Sequence, residues 1–116
     1  MPEFDAEAWI PLKPQDFQIL LVLLDETRHG YGIMKAVEER TRAQVRLELG
    51  SLYRLLGRLA DAGLIVETPA PAGDDPRRKH YGITANGRAV VRAEADRLRR
   101  LVTELNGLAL GEEGVQ

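Results

Sequence analysis

The spacing of apolar residues along the 116-residue chain predicts four helices and one β-hairpin. The first helix begins at Pro14, which suits a first helical turn, and runs to about Glu26. Its apolar residues fall on two faces, with Phe17, Leu20, Leu21 and Leu24 on one and Ile19, Val22 and Leu23 on the other. A helix that is apolar nearly all round has to be buried on both sides. In so short a chain, a second subunit is the simplest cover for the outer side.

Two further helices and the hairpin are predicted in the middle of the chain. In chain order the segments are a turn at 28–32, a helix ending near Arg40, a short strand or extended link at 42–48, a helix after Gly50-Ser51, and strands at 65–68 and 78–83 around a loop at 69–76. The third helix has a core stripe of leucines, and Gly63 is a residue that commonly ends a helix. The stripe consists of Leu52, Leu55, Leu56 and Leu59.

A long last helix is predicted after Thr84, whose hydroxyl can cap it. Apolar residues recur along it, as far as Ala109, at alternating steps of four and three, which is the spacing of a coiled-coil seam. About 25 residues at ~1.5 Å each give a rod of roughly 37 Å, which a body of this size cannot cover alone. We therefore predict a homodimer. Its interface is expected to contain Phe17, Leu20 and Leu24 of the first helix and Val91, Ala95, Leu98, Val102 and Leu105 of the last.

This order of elements is that of a winged helix-turn-helix with an added C-terminal helix. The predicted fold class is mainly α with a small β-hairpin. We divide the chain into an N-terminal arm at 1–13, a winged helix-turn-helix domain at 14–84, a dimerisation helix at 85–110 and a tail at 111–116. The arm carries two prolines, three acidic residues and the only tryptophan, Trp9, so it is expected to be an arm and not a core element. Its apolar residues could still dock on another surface; they are Phe4, Trp9, Ile10 and Leu12.

The composition excludes several kinds of site. There is no cysteine, so disulfides, Cys-ligated zinc, iron–sulfur clusters and thiolate catalysis are excluded, and the two histidines lack the spacing of a metal site. No nucleophile elbow, phosphate-binding loop or dinucleotide fingerprint is present, so we expect neither an enzyme nor a cofactor. The longest apolar run has six residues, against the ~20 that cross a bilayer, and no export signal is visible. A cytoplasmic protein without a membrane partner is expected.

The distribution of charge is uneven although the net charge is only −2. Residues 1–41 carry four basic and eight acidic residues, whereas residues 42–88 carry eight basic and five acidic ones, a net charge of +3. Salt screens charge over roughly 8–10 Å, so attraction to phosphate depends on local charge. A basic middle on an acidic body can therefore bind a polyanion.

Several residues of this basic middle are candidates for binding double-stranded DNA. The helix-turn-helix pair would present the third helix to the major groove, and the hairpin would reach the neighbouring phosphates. The candidates are Tyr31 on the second helix, Ser51, Tyr53, Arg54 and Arg58 on the third, and Arg77, Arg78 and Lys79 in the hairpin. Each also has an ordinary interpretation, because tyrosines commonly fill cores and exposed arginines commonly serve solubility.

The chain resembles the PadR family of bacterial transcriptional regulators, in particular its short subfamily with one C-terminal helix. The resemblance covers roughly residues 12–105. It is carried by His29-Gly30-Tyr31-Gly32-Ile33, Gly50-Ser51-Leu52-Tyr53, Ala62-Gly63-Leu64-Ile65, the stretch Asp75-Pro76-Arg77-Arg78-Lys79-His80-Tyr81, Ile83-Thr84 and Gly87-Arg88.

The resemblance implies a homodimer joined through the last helix, with the first helix and the N-terminal arm packed against the partner. It also implies repression from an inverted-repeat operator, with release by a small aromatic molecule in some members. For such an effector, Trp9 is the candidate ligand-contacting residue. The alternative is a winged-helix module that binds proteins and not DNA, which the acidic net charge and the apolar first and last helices also fit.

Overall fold

The computed structural model describes residues 3–108, so the predicted helix end at 109–110, with Ala109, and the predicted tail at 111–116 lie outside the described residues. The elements are a 3-10 helix Ala6–Trp9, α1 Pro14–Val22, β1 Arg28–His29, α2 Gly30–Arg40, α3 Leu49–Asp61, β2 Ile65–Thr68, β3 His80–Ile83 and α4 Ala85–Asn106. The predicted winged helix-turn-helix with an added C-terminal helix is confirmed. Among the helices of residues 3–108, none combines the length and the apolarity needed to cross a membrane.

One hydrophobic core joins α1, α2, α3 and the sheet. The leucines of α3 enter it at the three- and four-residue steps that put side chains on one helix face. The largest fully buried side chains are Ile19, Leu20, Leu23, Ile33, Val37, Leu52, Leu56, Leu59, Leu64, Ile65 and Val90. Because α3 buries this one stripe, its opposite face is left free for contacts outside the chain.

Helix α1 ends at Val22, whereas the apolar pattern predicted an end near Glu26. The Val22 carbonyl accepts a 2.8 Å hydrogen bond from Nε of Arg28, and the Leu24 carbonyl accepts a 2.9 Å bond from Nη2 of Arg88. One arginine therefore satisfies the Val22 carbonyl, which a helix reaching Glu26 would have paired internally, and a second arginine satisfies the Leu24 carbonyl beyond the end of α1. Periodicity within the helix gives no sign of these distant donors.

The connection between α2 and α3 contains no strand: residues 41–45 form a turn and a bend, and residues 46–48 have no regular structure. Arg42 and Ala43 have φ of 52° and 65°, so the chain turns there through the left-handed region. The Thr41 hydroxyl stabilises the turn by accepting a 3.1 Å hydrogen bond from the Val45 amide. Of the two interpretations left open by the sequence, the strand is wrong, and the link that is found begins with a turn and is not extended throughout.

The sheet has three antiparallel strands in the order β1-β3-β2. Strands β2 and β3 form the predicted hairpin, with Ile65 opposite Ile83. Together with residues 69–79 they are called the wing below. Strand β1 was not predicted, because two residues are too few to show alternation. It pairs His29 with His80 and so ties the start of α2 to the wing.

The N-terminal segment packs on the molecule, which is the docking that the sequence left open for its apolar residues. Its 3-10 helix contacts α4, and Trp9 and Leu12 are partly buried against the core. Beneath it, the Glu94 carboxylate is 2% exposed and accepts hydrogen bonds of 2.8 and 2.9 Å from Arg97. The Arg97 bonds hold the pKa of Glu94 below its usual value, and the Leu12 amide adds to the effect. The segment covers apolar and charged groups that would otherwise be exposed.

The start of α4 is fixed by Thr84 in the predicted manner. The Thr84 hydroxyl accepts a 3.0 Å hydrogen bond from the Gly87 amide and donates a 2.6 Å bond to the Gly63 carbonyl. Gly87 itself lies against the chain at Leu64 and Ile83. Helix α4 is thereby held to the end of α3 and to the edge of the wing.

Gly87→Ala should destabilise the fold by about 2–3 kcal/mol, because the new Cβ would overlap the Leu64 carbonyl and the Ile83 side chain. Urea unfolding measures the loss. The control is Gly57→Ala in α3, where an added Cβ meets no atom within 4 Å. That change should raise stability by up to ~1 kcal/mol through helix propensity. Equal stabilities of the two variants would contradict the described packing at Gly87.

Candidate nucleic-acid interface

The exposed face of α3 carries three of the predicted DNA-contacting residues. Tyr53 is 52% exposed, and Arg54 beside it is exposed. Ser51 is half-buried in the first turn, where its hydroxyl donates a 3.3 Å hydrogen bond to the Glu48 carbonyl. Since the leucines of α3 face the core, these side chains point away from it and are open to a ligand.

The Tyr53 ring lies over the backbone at the start of α2. A Cβ added to Gly30 would stand 2.7 Å from the phenolic oxygen and 2.8 Å from a ring carbon, so only glycine leaves room for the ring. Next to it, Tyr31 is 51% exposed, with Nζ of Lys35 at 5.8 Å from its ring centroid. Neither tyrosine fills the core, so the interpretation of both as core residues is wrong. Both rings remain accessible to a molecule outside the chain.

The three wing cations differ in their partners. Arg77 donates from Nε and Nη2 to the Asp75 carboxylate at 3.1 Å each, and this pairing lowers the pKa of Asp75. Nζ of Lys79 lies 3.4 Å from Oε2 of Glu67. Arg78 has no carboxylate partner within residues 3–108. Exposed ion pairs contribute only about 0–1 kcal/mol, so a stronger anion can displace the two carboxylates.

A cleft of about 670 Å³ lies where α3, the start of α2 and the wing meet. It is lined by five of the predicted DNA-contacting residues, Tyr31, Tyr53, Arg77, Arg78 and Lys79, together with His29 and Gly30. Guanidinium and ammonium groups attract phosphate, and the tyrosines offer hydroxyl donors and ring faces. The arrangement is suited to an anionic polymer.

The model of the Transcriptional regulator PadR-like family matches residues 19–93. The chain belongs to this family. It is also 31% identical over 74 residues to an uncharacterized protein of Lysinibacillus sphaericus, a match that covers 64% of this chain and 68% of that protein. The resemblance inferred from the sequence motifs is confirmed.

Solved structures of PadR-like regulators share the fold. The regulator from Bacillus cereus has a TM-score of 0.69 and 28% identity over 84% of this chain and 92% of its own. The regulator from Clostridium difficile has a TM-score of 0.68 and 25% identity over 82% of this chain and 97% of its own. Bacillus subtilis PadR, solved in complex with operator DNA, has a TM-score of 0.61 and 23% identity over 71% of this chain and 46% of its own. The PadR-like chain is a DNA-binding transcriptional regulator, which favours that hypothesis over the protein-interaction module.

Arg58 makes a contact within this PadR-like fold that the sequence did not predict. Its Nη2 donates a 2.8 Å hydrogen bond to Oδ1 of Asp16. The Asp16 side chain is only 7% exposed and the Arg58 side chain 45%. This pair anchors α3 to α1 and engages one of the five N–H donors of the guanidinium, so the DNA contact of Arg58 stays a prediction.

The predicted dimer-interface residues of the PadR-like chain divide into three groups. Leu20 is 0% exposed, so it belongs to the monomer's own core and has no surface to offer a partner. Half-buried positions are Phe17, Leu24, Val91, Ala95 and Leu98. Val102 and Leu105 are 56% and 40% exposed, and Leu101 and Leu108 extend the same apolar strip at 41% and 58%.

Two residues near the cleft were not among the predicted DNA-contacting residues. His29 was interpreted from the sequence as a helix-start residue, and it does cap α2, its Nδ1 accepting a 3.0 Å hydrogen bond from the Gly32 amide. Ser, Thr, Asp and Asn are the more usual capping residues. Lys35 lies four residues after Tyr31, and that spacing was a usable signal, since residues at i and i+4 are neighbours on a helix.

Arg58→Met should lower the free energy of unfolding by about 1–3 kcal/mol, because it leaves the buried Asp16 carboxylate without its partner. Breaking a fully buried ion pair costs ~3–5 kcal/mol, and the loss here should be smaller because Arg58 is half exposed. Urea unfolding measures this. If the pair with Asp16 is the whole role of Arg58, the affinity of the folded Arg58→Met variant for DNA should equal that of the wild type. The matched variant Arg54→Met should leave stability within about 0.5 kcal/mol and weaken DNA binding. The reverse pattern, in which Arg58→Met weakens DNA binding at unchanged stability, would show that Arg58 contacts DNA as the sequence predicted.

Proposed function

We propose that the chain is a repressor that binds an inverted-repeat operator as a homodimer, with α3 in the major groove and the wing on the adjoining phosphates. The observation that carries the proposal is the cleft, where exposed residues of α3 and α2 stand beside three wing cations. A helix and a cationic hairpin on one side of a molecule can engage one groove and the backbone next to it.

Base contacts are assigned to the N-terminal half of α3. The guanidinium of Arg54 makes no ion pair among residues 3–108 and can donate two parallel hydrogen bonds to a guanine edge. While it donates to the Glu48 carbonyl, the Ser51 hydroxyl can still accept a hydrogen bond from a base. If that bond breaks, the hydroxyl can donate to a phosphate instead. Tyr53 is exposed with its ring seated on Gly30, so its hydroxyl is held near the backbone of a bound duplex.

Phosphate contacts are assigned to the wing. Arg77 and Lys79 would exchange the carboxylates of Asp75 and Glu67 for phosphate oxygens, and Arg78 needs no such exchange. Each cation that neutralises a phosphate releases counterions from the duplex, and this release favours binding at low salt. The wing therefore supplies affinity, while α3 supplies sequence preference.

Dimerisation is assigned to the apolar strip of α4. Val102 and Leu105 are exposed in the monomer, with Leu101 and Leu108 beside them, and covering them with a second copy would remove apolar area from water. A two-fold axis between two α4 helices would repeat α3 and the wing on both halves. Two α3 helices can then enter successive major grooves about 34 Å apart, which requires an inverted repeat.

Release by a small aromatic molecule completes the proposal. Trp9 lies in the 3-10 helix that packs on α4 and is partly buried against the core. A planar ligand bound between the subunits beside this helix would contact the only tryptophan of the chain. Movement of the 3-10 helix would be transmitted to α4 and so to the spacing of the two α3 helices.

Arg77→Ala combined with Arg78→Ala should weaken binding to all duplexes about equally and flatten the slope of log K against log salt by about 1.8, since each lost contact removes roughly 0.9. Fluorescence anisotropy over a salt series measures this. The control, Arg99→Ala with Arg100→Ala on α4, removes the same charge and should leave the slope unchanged. An equal loss of slope in both double variants would mean that the wing makes no specific phosphate contact.

Val102→Glu should convert the dimer to a folded monomer, because the new carboxylate would be buried without a partner in the dimer yet stays exposed in the monomer. Sedimentation velocity measures the mass and circular dichroism the fold. Thr103→Glu, on the neighbouring exposed position, should stay dimeric. A dimeric Val102→Glu protein would place the interface elsewhere.

A further inference from the structure

The imidazole of His29 stands between two hydrogen-bond donors. Its Nδ1 lies 3.0 Å from the backbone nitrogen of Gly32, in the first turn of α2. Its Nε2 lies 2.9 Å from Nη1 of Arg78 in the wing. A backbone amide and a guanidinium both donate and neither accepts. Both ring nitrogens therefore face a donor.

A single imidazole cannot accept both of these bonds. The neutral ring has one lone pair, on the nitrogen without a proton, and the charged ring has none. Burial, with the nearby charge of Arg78 adding to it, lowers the pKa of His29, so the ring is neutral at pH 7. One of its two nitrogens therefore carries a hydrogen that points at another donor.

The lone pair belongs to Nδ1. The Gly32 amide is fixed in a helix and needs an acceptor, because the first amides of a helix have no partner within it. The Arg78 side chain is exposed and free to turn. The hydrogen is therefore on Nε2, and it points at the guanidinium of Arg78 across 2.9 Å.

Among residues 3–108, no carboxylate pairs with these two donors where they meet. The nearby Asp74 carboxylate is engaged with Nε2 of His80 at 3.2 Å. The His80 ring stands edge-on to the His29 ring at 5.5 Å, and its Nδ1 lies 3.3 Å from the Arg78 carbonyl. Asp75 is paired with Arg77. Within residues 3–108, the His29 and Arg78 donors are thus left without an acceptor of their own.

We propose that His29 is a phosphate-binding residue, whose Nε2–H and the guanidinium of Arg78 together hold one backbone phosphate of DNA at the cleft between α2 and the wing. An anionic oxygen accepts from both groups and replaces an unfavourable contact between donors with two favourable ones. The inference rests on the proposed DNA binding and adds to it a residue outside α3 and the wing loop. The same imidazole then caps α2 through Nδ1 and binds the phosphate through Nε2.

The tautomer of His29 is read directly by long-range ¹H–¹⁵N correlation spectra of the full chain. We expect a protonated Nε2 and an unprotonated Nδ1 at pH 7.5, and a change in the Nε2 shift when inorganic phosphate or duplex DNA is added. A shift with duplex DNA alone locates the site on the DNA backbone, and a shift with both shows that a free anion also fits. A protonated Nδ1, or an Nε2 shift that neither ligand changes, would overturn the proposal.

His29→Asn separates the two uses of the ring, because asparagine caps helices well but is too short to reach the phosphate. It should keep the thermal stability of the wild type and lose roughly 3- to 10-fold in affinity for every duplex, the value of one hydrogen bond. The salt slope should not change, since a neutral donor releases no counterion. His29→Ala should lose stability as well as affinity. Wild-type affinity in folded His29→Asn would refute the role of His29, whereas failure of the wild type to bind any duplex would refute the proposed function itself.

Discussion

The burial of the leucine stripe of α3 fixes the orientation of this helix in the molecule. Leu52, Leu56 and Leu59 are fully buried or nearly so, and each such side chain stabilises the fold by about 1.5–3 kcal/mol relative to exposure. Because the stripe has one orientation in the core, the opposite face of α3 has one orientation toward solvent. The direction of Tyr53 and Arg54 is therefore a consequence of packing and not of any contact that they make.

Carboxylates then determine which cations are paired within the chain. Asp16 forms an ion pair with Arg58, and this pair holds α3 against α1. Exposed carboxylates take Arg77 and Lys79 through weak pairs that phosphate can replace. Arg54 and Arg78 have no carboxylate partner among residues 3–108, so in the proposed complex they bind DNA without exchanging one. A chain with a net charge of −2 can thus present a cationic side, because pairing within the chain, and not composition, sets the local field.

Local patterns were sufficient for much of the fold and less so for the site. The leucines of α3, the Thr84 cap and the hairpin pairing each depend on residues close in sequence, so the sequence predicted them. Other features depend on contacts between groups far apart in sequence, which the spacing of apolar residues cannot indicate. These are the end of α1, the two-residue strand β1, the docking of the N-terminal segment and the Asp16–Arg58 pair. The contact of His29 with Arg78 was missed for the same reason, since the wing alone brings Arg78 to it.

In the proposed complex, two copies of this surface bind one duplex at the same time. Hydroxyl-radical footprinting of the purified protein, on DNA recovered by in vitro selection, shows whether they do. We expect protections related by a two-fold axis on one face of the duplex, with centres about one helical turn, roughly 34 Å, apart. A single protected stretch without symmetry, on selected DNA that lacks an inverted repeat, would rule out binding as a symmetric dimer.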